Sequence, residues 1–284
     1  MSKEEDEWTL VVRPQTHWLQ LRLGELWSYR DLVMLFVKRD FVSLYKQTIL
    51  GPVWYIIQPI LTAIMYSIVF GKIANIDTPG LPKFLFYLSS ITMWNYFAES
   101  LNKTSNTFIA NAQIFGKVYF PRLTVPISII LSSLIAFLIQ FVLFLVVLFY
   151  YYYFTGVPLS PNRYMLLLPV LILIMAGIGL GTGVIISSLT IKYRDLRFLI
   201  TFGIQLLMFA TPVIYPLSSV AGKKKLVLLA NPLSSLIETF RYGFTGVGEF
   251  HWSYLAYSAG FMLVVLFIGV VLFNRVEKSF MDTV

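Results

Sequence analysis

Apolar runs long enough to cross a bilayer recur six times along the 284-residue chain. A helical crossing takes about 20 mostly apolar residues to cover roughly 30 Å of hydrocarbon. The runs are 50–71, 84–101, 124–154, 164–189, 198–216 and 254–273. The third is long enough to tilt or to project past the bilayer. The second is the most polar, with Asn95 and Glu99 in its last turns. Each is expected to be helical, because a lone spanning segment must satisfy its own backbone polar groups.

Two segments break this pattern. Tyr29 to Lys46 is too charged to cross, and as a helix it puts Val33, Val37, Phe41 and Leu44 on one stripe with Arg39 and Lys46 opposite. That describes an amphipathic helix in the membrane interface. The connection 217–253 holds a moderately apolar stretch broken at Asn231-Pro232 and carrying Glu238 and Arg241. A seventh span there would bury two charges, so a re-entrant or outer-surface hairpin is expected. Glu238 and Arg241 are three residues apart and can pair on one helical face, either as a helix-solubilising pair or as part of a gate. The expected fold is an all-α integral membrane protein. Residues 1–28 form an N-terminal segment, 29–46 the interface helix and 50–273 the six-span domain. Within it 217–253 forms the hairpin between spans five and six, and 274–284 form a tail.

Composition supports a lipid environment. Hydrophobic residues make up 57% of the chain and charged residues 13%, against roughly 45–50% and about 25% in soluble domains. Mean hydropathy is +0.75. With no cysteine there is no disulfide or Cys-based metal site, and His17 and His251 lack metal-ligand spacing. The formal charge of +8 reports topology first in such a chain, so no nucleic-acid partner is expected. Met1 to Glu7 is acidic and lacks the basic start of a cleaved signal peptide.

The cations also orient the spans. With the N-terminus inside, Lys38, Arg39, Lys46, Lys103, Lys117, Arg122, Lys192, Arg194, Arg197, Arg275 and Lys278 fall on the inner side. Only Lys72, Lys83 and Arg163 fall in short outer loops, so both termini are expected in the cytoplasm. Lys223, Lys224 and Lys225 are the exception, in a long outer loop where the bias weakens. Tyr150 to Tyr153 end the third span where an outer aromatic belt belongs.

Much chemistry is missing. No G-x-x-x-x-G-K-[ST] occurs, so a P-loop nucleotide site is not expected. G-x-S-x-G, H-E-x-x-H and paired intramembrane carboxylates are also absent, and span interiors are nearly free of the ionisable residues of proton-coupled transport. Gly177, Gly179, Gly181 and Gly183 form two overlapping small-xxx-small pairs that permit close helix approach. Pro212 and Pro216 are expected to end the fifth span and turn the chain into the hairpin.

Several blocks together resemble type-2 ABC permeases for cell-surface polysaccharides. They are Arg39-Asp40, Tyr45-Lys46-Gln47-Thr48, Leu50-Gly51-Pro52, Trp54, Gln58-Pro59, Lys117-Val118-Tyr119-Phe120-Pro121-Arg122, Pro126 and Tyr193-Arg194-Asp195. Thr211-Pro212-Val213-Ile214-Tyr215-Pro216, Asn231-Pro232-Leu233, Glu238 and Phe240-Arg241 continue them in family order, over about residues 29–275. The likeness is greatest to O-antigen export permeases of the Wzm type, with teichoic-acid and capsule permeases as relatives.

The resemblance implies a homodimer in the bacterial inner membrane, bound to two cytoplasmic ABC ATPase subunits. Those subunits would hold ATP and Mg, and this chain no cofactor. The substrate would be an undecaprenyl-diphosphate-linked glycan. A permease for a small lipid or drug shares the fold and is the alternative. A glycan-modifying membrane enzyme would need convergent His, Asp or Glu residues that the sequence lacks. In the permease reading, coupling to the ATPase falls to Asp31, Lys38, Arg39, Asp40, Asn111, Gln113, Lys117, Tyr193, Arg194 and Asp195, with 105–116 as a coupling helix. Aromatic rings suit a sugar conduit, and the channel-lining candidates are Trp54, Tyr55, Tyr66, Trp94, Phe97, Phe209 and Tyr215, with the polar Gln58 beside them. Pro212, Pro216, Asn231, Pro232, Glu238 and Arg241 would form an outer gate. Arg39, Lys46 and Arg122 would meet the lipid diphosphate.

Overall fold

A computed structural model describes residues 23–46, 50–78, 80–191, 193 and 195–280, with the side chains of 23, 25, 44, 45 and 277–280 outside the description. Among the described residues the chain is all helix and has no strand. In order the helices are α1 (Leu23–Ser28), α2 (Arg30–Tyr45), α3 (Trp54–Tyr66), α4 (Lys83–Ser105), α5 (Thr107–Ala110) and α6 (Ala112–Phe115). They continue with α7 (Thr124–Phe154), α8 (Leu168–Thr190), α9 (Leu196–Phe209), α10 (Lys223–Ala230), α11 (Pro232–Thr245) and α12 (Trp252–Phe280). A π turn over Ser67–Ile73 extends α3, and a 3-10 turn over Arg163–Leu167 leads into α8.

Four continuous helical runs are long and apolar enough to cross a membrane: Gly51–Ile73, Thr124–Phe154, Arg163–Thr190 and Trp252–Val276. Two of the six apolar runs in the sequence differ, for separate reasons. At 14 residues, α9 reaches only about 21 Å. The other, α4, has the length but carries Ser89, Ser90, Thr92, Asn95, Glu99 and Ser100.

The polar helix α4 is also the most enclosed of the long helices, and it packs against α3, α7, α8, α9 and α11. Protein surrounds it, so it need not be apolar enough for lipid. Some of its hydroxyls are satisfied within the helix, whereas those of Tyr87, Ser100 and Thr104 are buried with no hydrogen-bond partner among the described residues. Ser89 and Ser90 donate to the Phe86 carbonyl and Thr92 to the Leu88 carbonyl, at 2.7, 3.1 and 2.8 Å. Asn95 donates across to Gln140 on α7 at 3.1 Å.

The glycines of α8 face two partners. A Cβ on Gly181 would stand 2.8 Å from the Leu266 backbone of α12, and one on Gly177 would strike Met262. Gly179 and Gly183 face Ser100 and Thr104 of α4 instead. Spacing by two therefore serves two seams, 100° per residue turning alternate glycines to opposite neighbours. Without an aqueous driving force inside lipid, such seams hold by close van der Waals packing.

At one end of α4 lies an aromatic cluster of Phe36, Phe108, Phe115, Phe120 and Phe273, which ties α2 to α5, α6, α7 and α12. Phe108 stacks on Phe273 at 4.6 Å. The buried residues of α2 are Val33, Phe36 and Val37, so Val33 and Val37 of the stripe read from the sequence are buried and Phe36 joins them. Phe41 is half-buried and the Leu44 side chain lies outside the description. The aromatic cluster brings Phe36 in, as its ring reaches Phe120 at 5.8 Å. The segment 105–116 is two single turns broken at Asn111, where one continuous helix was expected.

A leucine at Gly181 is expected to destabilise the fold by about 1–3 kcal/mol through overpacking. A leucine at Gly260, whose Cβ meets nothing within 4 Å, is the control. Thermal stability by fluorescence-detected size exclusion compares them. Equal stability of the two variants would remove the glycine seam.

Candidate functional site

The other end of α4 holds a buried ion pair. Glu238 and Arg241 sit on one face of α11, 2% and 1% exposed, and Arg241 Nη1 donates to Glu238 Oε1 at 2.9 Å. The same guanidinium donates from Nη2 to Ser90 Oγ of α4 at 2.6 Å and to the Pro212 carbonyl at 2.8 Å. It lies 3.9 Å from the Phe86 ring centroid. Glu238 Oε1 also accepts the Leu217 N–H at 3.1 Å. A planar five-donor fork can serve three acceptors at once, where a lysine ammonium could not hold this geometry.

The surrounding motif residues satisfy the end of α9. A helix terminus leaves its last carbonyls without partners, and in an apolar setting water cannot supply them. Tyr215 Oη donates to the Phe209 carbonyl at 2.9 Å. Asn231 Nδ2 donates to the Ala210 carbonyl at 3.1 Å and to Thr211 Oγ1 at 2.8 Å. Arg241 takes the Pro212 carbonyl. Asn231 Oδ1 meanwhile accepts from Leu233 and caps α11, with Pro232 at its first position. Pro212 and Pro216 are both buried in this connection. Of the six residues expected at an outer gate, Pro212, Asn231, Glu238 and Arg241 make this knot of contacts, while Pro216 directly precedes Leu217 and Pro232 opens α11.

The far end of α11 is fixed as well. Gly246 adopts the left-handed conformation (φ 78°) and closes the helix, and a Cβ there would strike Ser160. Ser160 and Asn162 donate their N–H groups to the Thr245 and Gly243 carbonyls at 3.1 and 3.0 Å.

At the α2 end lies a polar cleft of ≈ 510 Å³, whose lining includes Arg39, Asp40, Ser43, Asn102, Lys103 and Asn111. Arg39 pairs with Asp40 at 2.8 Å and lies over the Phe36 ring at 4.7 Å. Of the expected coupling residues, the fold brings Arg39, Asp40 and Asn111 together here. Asp31, Lys38, Gln113, Lys117, Tyr193 and Asp195 are exposed elsewhere, and Arg194 lies outside the described residues. Asn102 and Lys103, which directly follow the second apolar run, also line this cleft, though neither was among the individual coupling residues expected.

The channel-lining candidates divide. Trp54, Gln58 and Phe209 are exposed on α3 and α9, and Tyr55 is half-buried. Tyr66 is half-buried with its hydroxyl on Met208 Sδ at 3.5 Å. Tyr215 is committed to the Phe209 carbonyl. Trp94 and Phe97 lie in the core, 5% and 2% exposed. Among the diphosphate candidates Lys46 is exposed, while Arg122 is buried with its guanidinium 5.4 Å from the Phe115 ring centroid. Among the described residues no cluster of His, Asp or Glu could hold a metal.

Long apolar helices closed by glycine seams, with a re-satisfied helix break among them, define a multi-pass helical membrane protein. The chain belongs to the ABC-2 type transporter family, whose model matches residues 31–245. It is 28% identical to the O-antigen export system permease protein RfbA of Klebsiella pneumoniae, over 93% of this chain and 98% of that one. RfbA of Myxococcus xanthus is 28% identical over 76% of this chain and 81% of its own length. The polysialic acid transport protein KpsM of Escherichia coli is 25% identical over 86% and 93%. The chain is thus a transport permease rather than an enzyme.

Removing either partner of the ion pair leaves a buried charge uncompensated, at about 3–5 kcal/mol. Glu238→Ala and Arg241→Ala are each expected to lower recovery of monodisperse protein sharply. The double change Glu238→Leu with Arg241→Met should recover more than either single one. A double variant as poor as the singles would show that charge pairing is not what holds the knot.

Proposed function

We propose that this chain is the membrane subunit of an ATP-driven exporter that moves a lipid-linked, O-antigen-like polysaccharide out of the cytoplasm. The observation that carries the reading is near full-length similarity to permeases named for O-antigen export. The KpsM match supports polysaccharide as the broader cargo class. With no P-loop in the sequence, the energy comes from separate ABC ATPase subunits that hold ATP and Mg.

The working unit is a homodimer in the bacterial inner membrane, each copy crossing six times with both termini in the cytoplasm. The enclosed α4 and the short α9 are the second and fifth crossings. The α10–α11 hairpin covers the outer end, and the α2 end faces the cytoplasm. This orientation puts the Arg39–Asp40 cleft where an ATPase docks, together with Lys117, Gln113, Tyr193, Arg194 and Asp195 on the surrounding surface. The exposed faces of α3 and α9, with Trp54, Tyr55, Gln58 and Phe209, are left for the polymer path between two copies. Sugar C–H faces stack on the Trp54, Tyr55 and Phe209 rings while hydroxyls keep their water. The glycan arrives as an undecaprenyl diphosphate, and Arg39 and Lys46 are its cationic contacts at the inner interface.

Two measurements in vesicles that hold the chain with its ATPase test this. Arg39→Glu is expected to reduce the stimulated ATPase about tenfold, equivalent to 1.4 kcal/mol of lost interface energy. Unchanged assembly and turnover would remove the cleft from coupling. Alanine at Tyr55 or Phe209 should impair glycan export with the complex intact, and normal export would take those rings out of the path. ATP hydrolysis by the chain alone would overturn the whole assignment.

A further inference from the structure

The three lysines that open α10 are not explained by the export reading. Lys225 is neutralised, its ammonium holding both carboxylate oxygens of Glu249 at 2.7 Å. Lys223 and Lys224 are exposed and form no ion pair among the described residues. They also occupy the first turn of a helix with no side-chain cap, where the dipole disfavours cations. Local helix stability thus does not account for them.

The rest of the helix says what they face. Positions 223, 226, 227 and 230 share one side of α10. They are Lys223, Leu226 (67% exposed), Val227 (73% exposed) and Ala230. The opposite side is occupied: Leu229 is buried, and Lys225 and Leu228 are half-buried. The C-terminal end is pinned by Ser234 Oγ on the Leu228 carbonyl at 2.6 Å and Tyr257 Oη on the Ala230 carbonyl at 2.8 Å. The helix therefore cannot roll to hide its outer stripe. At about 12 Å long, it cannot cross a bilayer either. A water-facing helix would carry polar side chains where Leu226 and Val227 stand. A cationic head followed by an outward apolar stripe instead matches the cross-section of a bilayer interface, with phosphate above and acyl carbons below.

We propose that α10 is an interfacial anchor that docks on anionic phospholipid, Lys223 and Lys224 meeting lipid phosphates and Leu226 and Val227 entering the acyl boundary. The inference requires only that the chain sits in a membrane. It depends neither on the glycan nor on the side of the membrane where α10 lies, so its failure leaves the export reading untouched. Anionic lipid is the committed occupant by charge complementarity. Each lysine near such a surface is expected to raise lipid affinity roughly fivefold.

The chain has no cysteine, so Val227→Cys takes a single environment-sensitive fluorophore in the otherwise intact protein. In nanodiscs the label is expected to emit as in an apolar setting and to be quenched by lipids nitroxide-labelled near the carbonyl more than by those labelled near the chain end. Leu226→Cys is the second site should the first fold poorly. In detergent, phosphatidylglycerol should raise the thermal midpoint of the cysteine-free chain more than phosphatidylcholine does, and Lys223→Gln with Lys224→Gln should abolish the difference. Water-like emission without nitroxide quenching would overturn the anchor. Disulfide formation between two Val227→Cys copies would assign the face to a second chain instead. Equal phosphatidylglycerol stabilisation of the double glutamine variant, or the same shift from inorganic phosphate alone, would overturn the lipid-phosphate contact.

Discussion

The α9–α11 end of the structure depends on one constraint: α9 stops after 14 residues and the carbonyls at and just past its end must still be satisfied. In water a frayed helix end is cheap. In an apolar setting it is not, because no water supplies the missing partners. Tyr215, Asn231 and Arg241 answer in order, taking the carbonyls of Phe209, Ala210 and Pro212. Arg241 can be buried there only because Glu238 balances its charge, and Glu238 in turn takes up the Leu217 N–H. A buried pair of this kind is a modest source of stability against an apolar substitute. Its geometric effect is larger, since it ties α9, α11 and α4 into one register.

The α2 end depends on packing of a different kind. Five phenylalanines close α2 onto the loop after α4 and onto α12, and they leave the polar edge of α2 facing Asn102, Lys103 and Asn111. One helix joins the two ends. From Ser90, bonded to Arg241, to Asn102 in the cleft is 12 residues along α4, or about 18 Å. With α8 packed on it through Gly179 and Gly183, α4 is a stiff element shared by both sites. The cleft and the knot thus share one continuous helix. The exposed faces of α3 and α9 carry no comparable packing within the single chain.

Much was legible in the linear pattern because membrane helices must be apolar to their full length. The runs 124–154, 164–189 and 254–273 stand out for that reason, and so does the hairpin break at Asn231-Pro232. The glycines in α8 also announce close packing, since a missing Cβ has few other uses in a span. The gate motif residues were recognisable as a group, but their partners were not: Ser90 is 151 positions from Arg241, and nothing in local spacing marks it. Arg122 looked like a surface cation among Lys117 and Tyr119, yet the fold turns it onto Phe115.

Sequence alone determined the class, because no water-soluble core could absorb 57% hydrophobic residues with 13% charged ones, and backbone hydrogen bonding in lipid then requires helices. It also determined that no P-loop nucleotide motif lies within the chain. Tertiary structure decided which helix is shielded from lipid, which face of α2 is buried, and which carbonyls the motif side chains serve. Those outcomes depend on contacts between residues far apart in the chain. A period of 3.6 reveals the faces of a helix, but the neighbours that each face meets are set only when the helices pack.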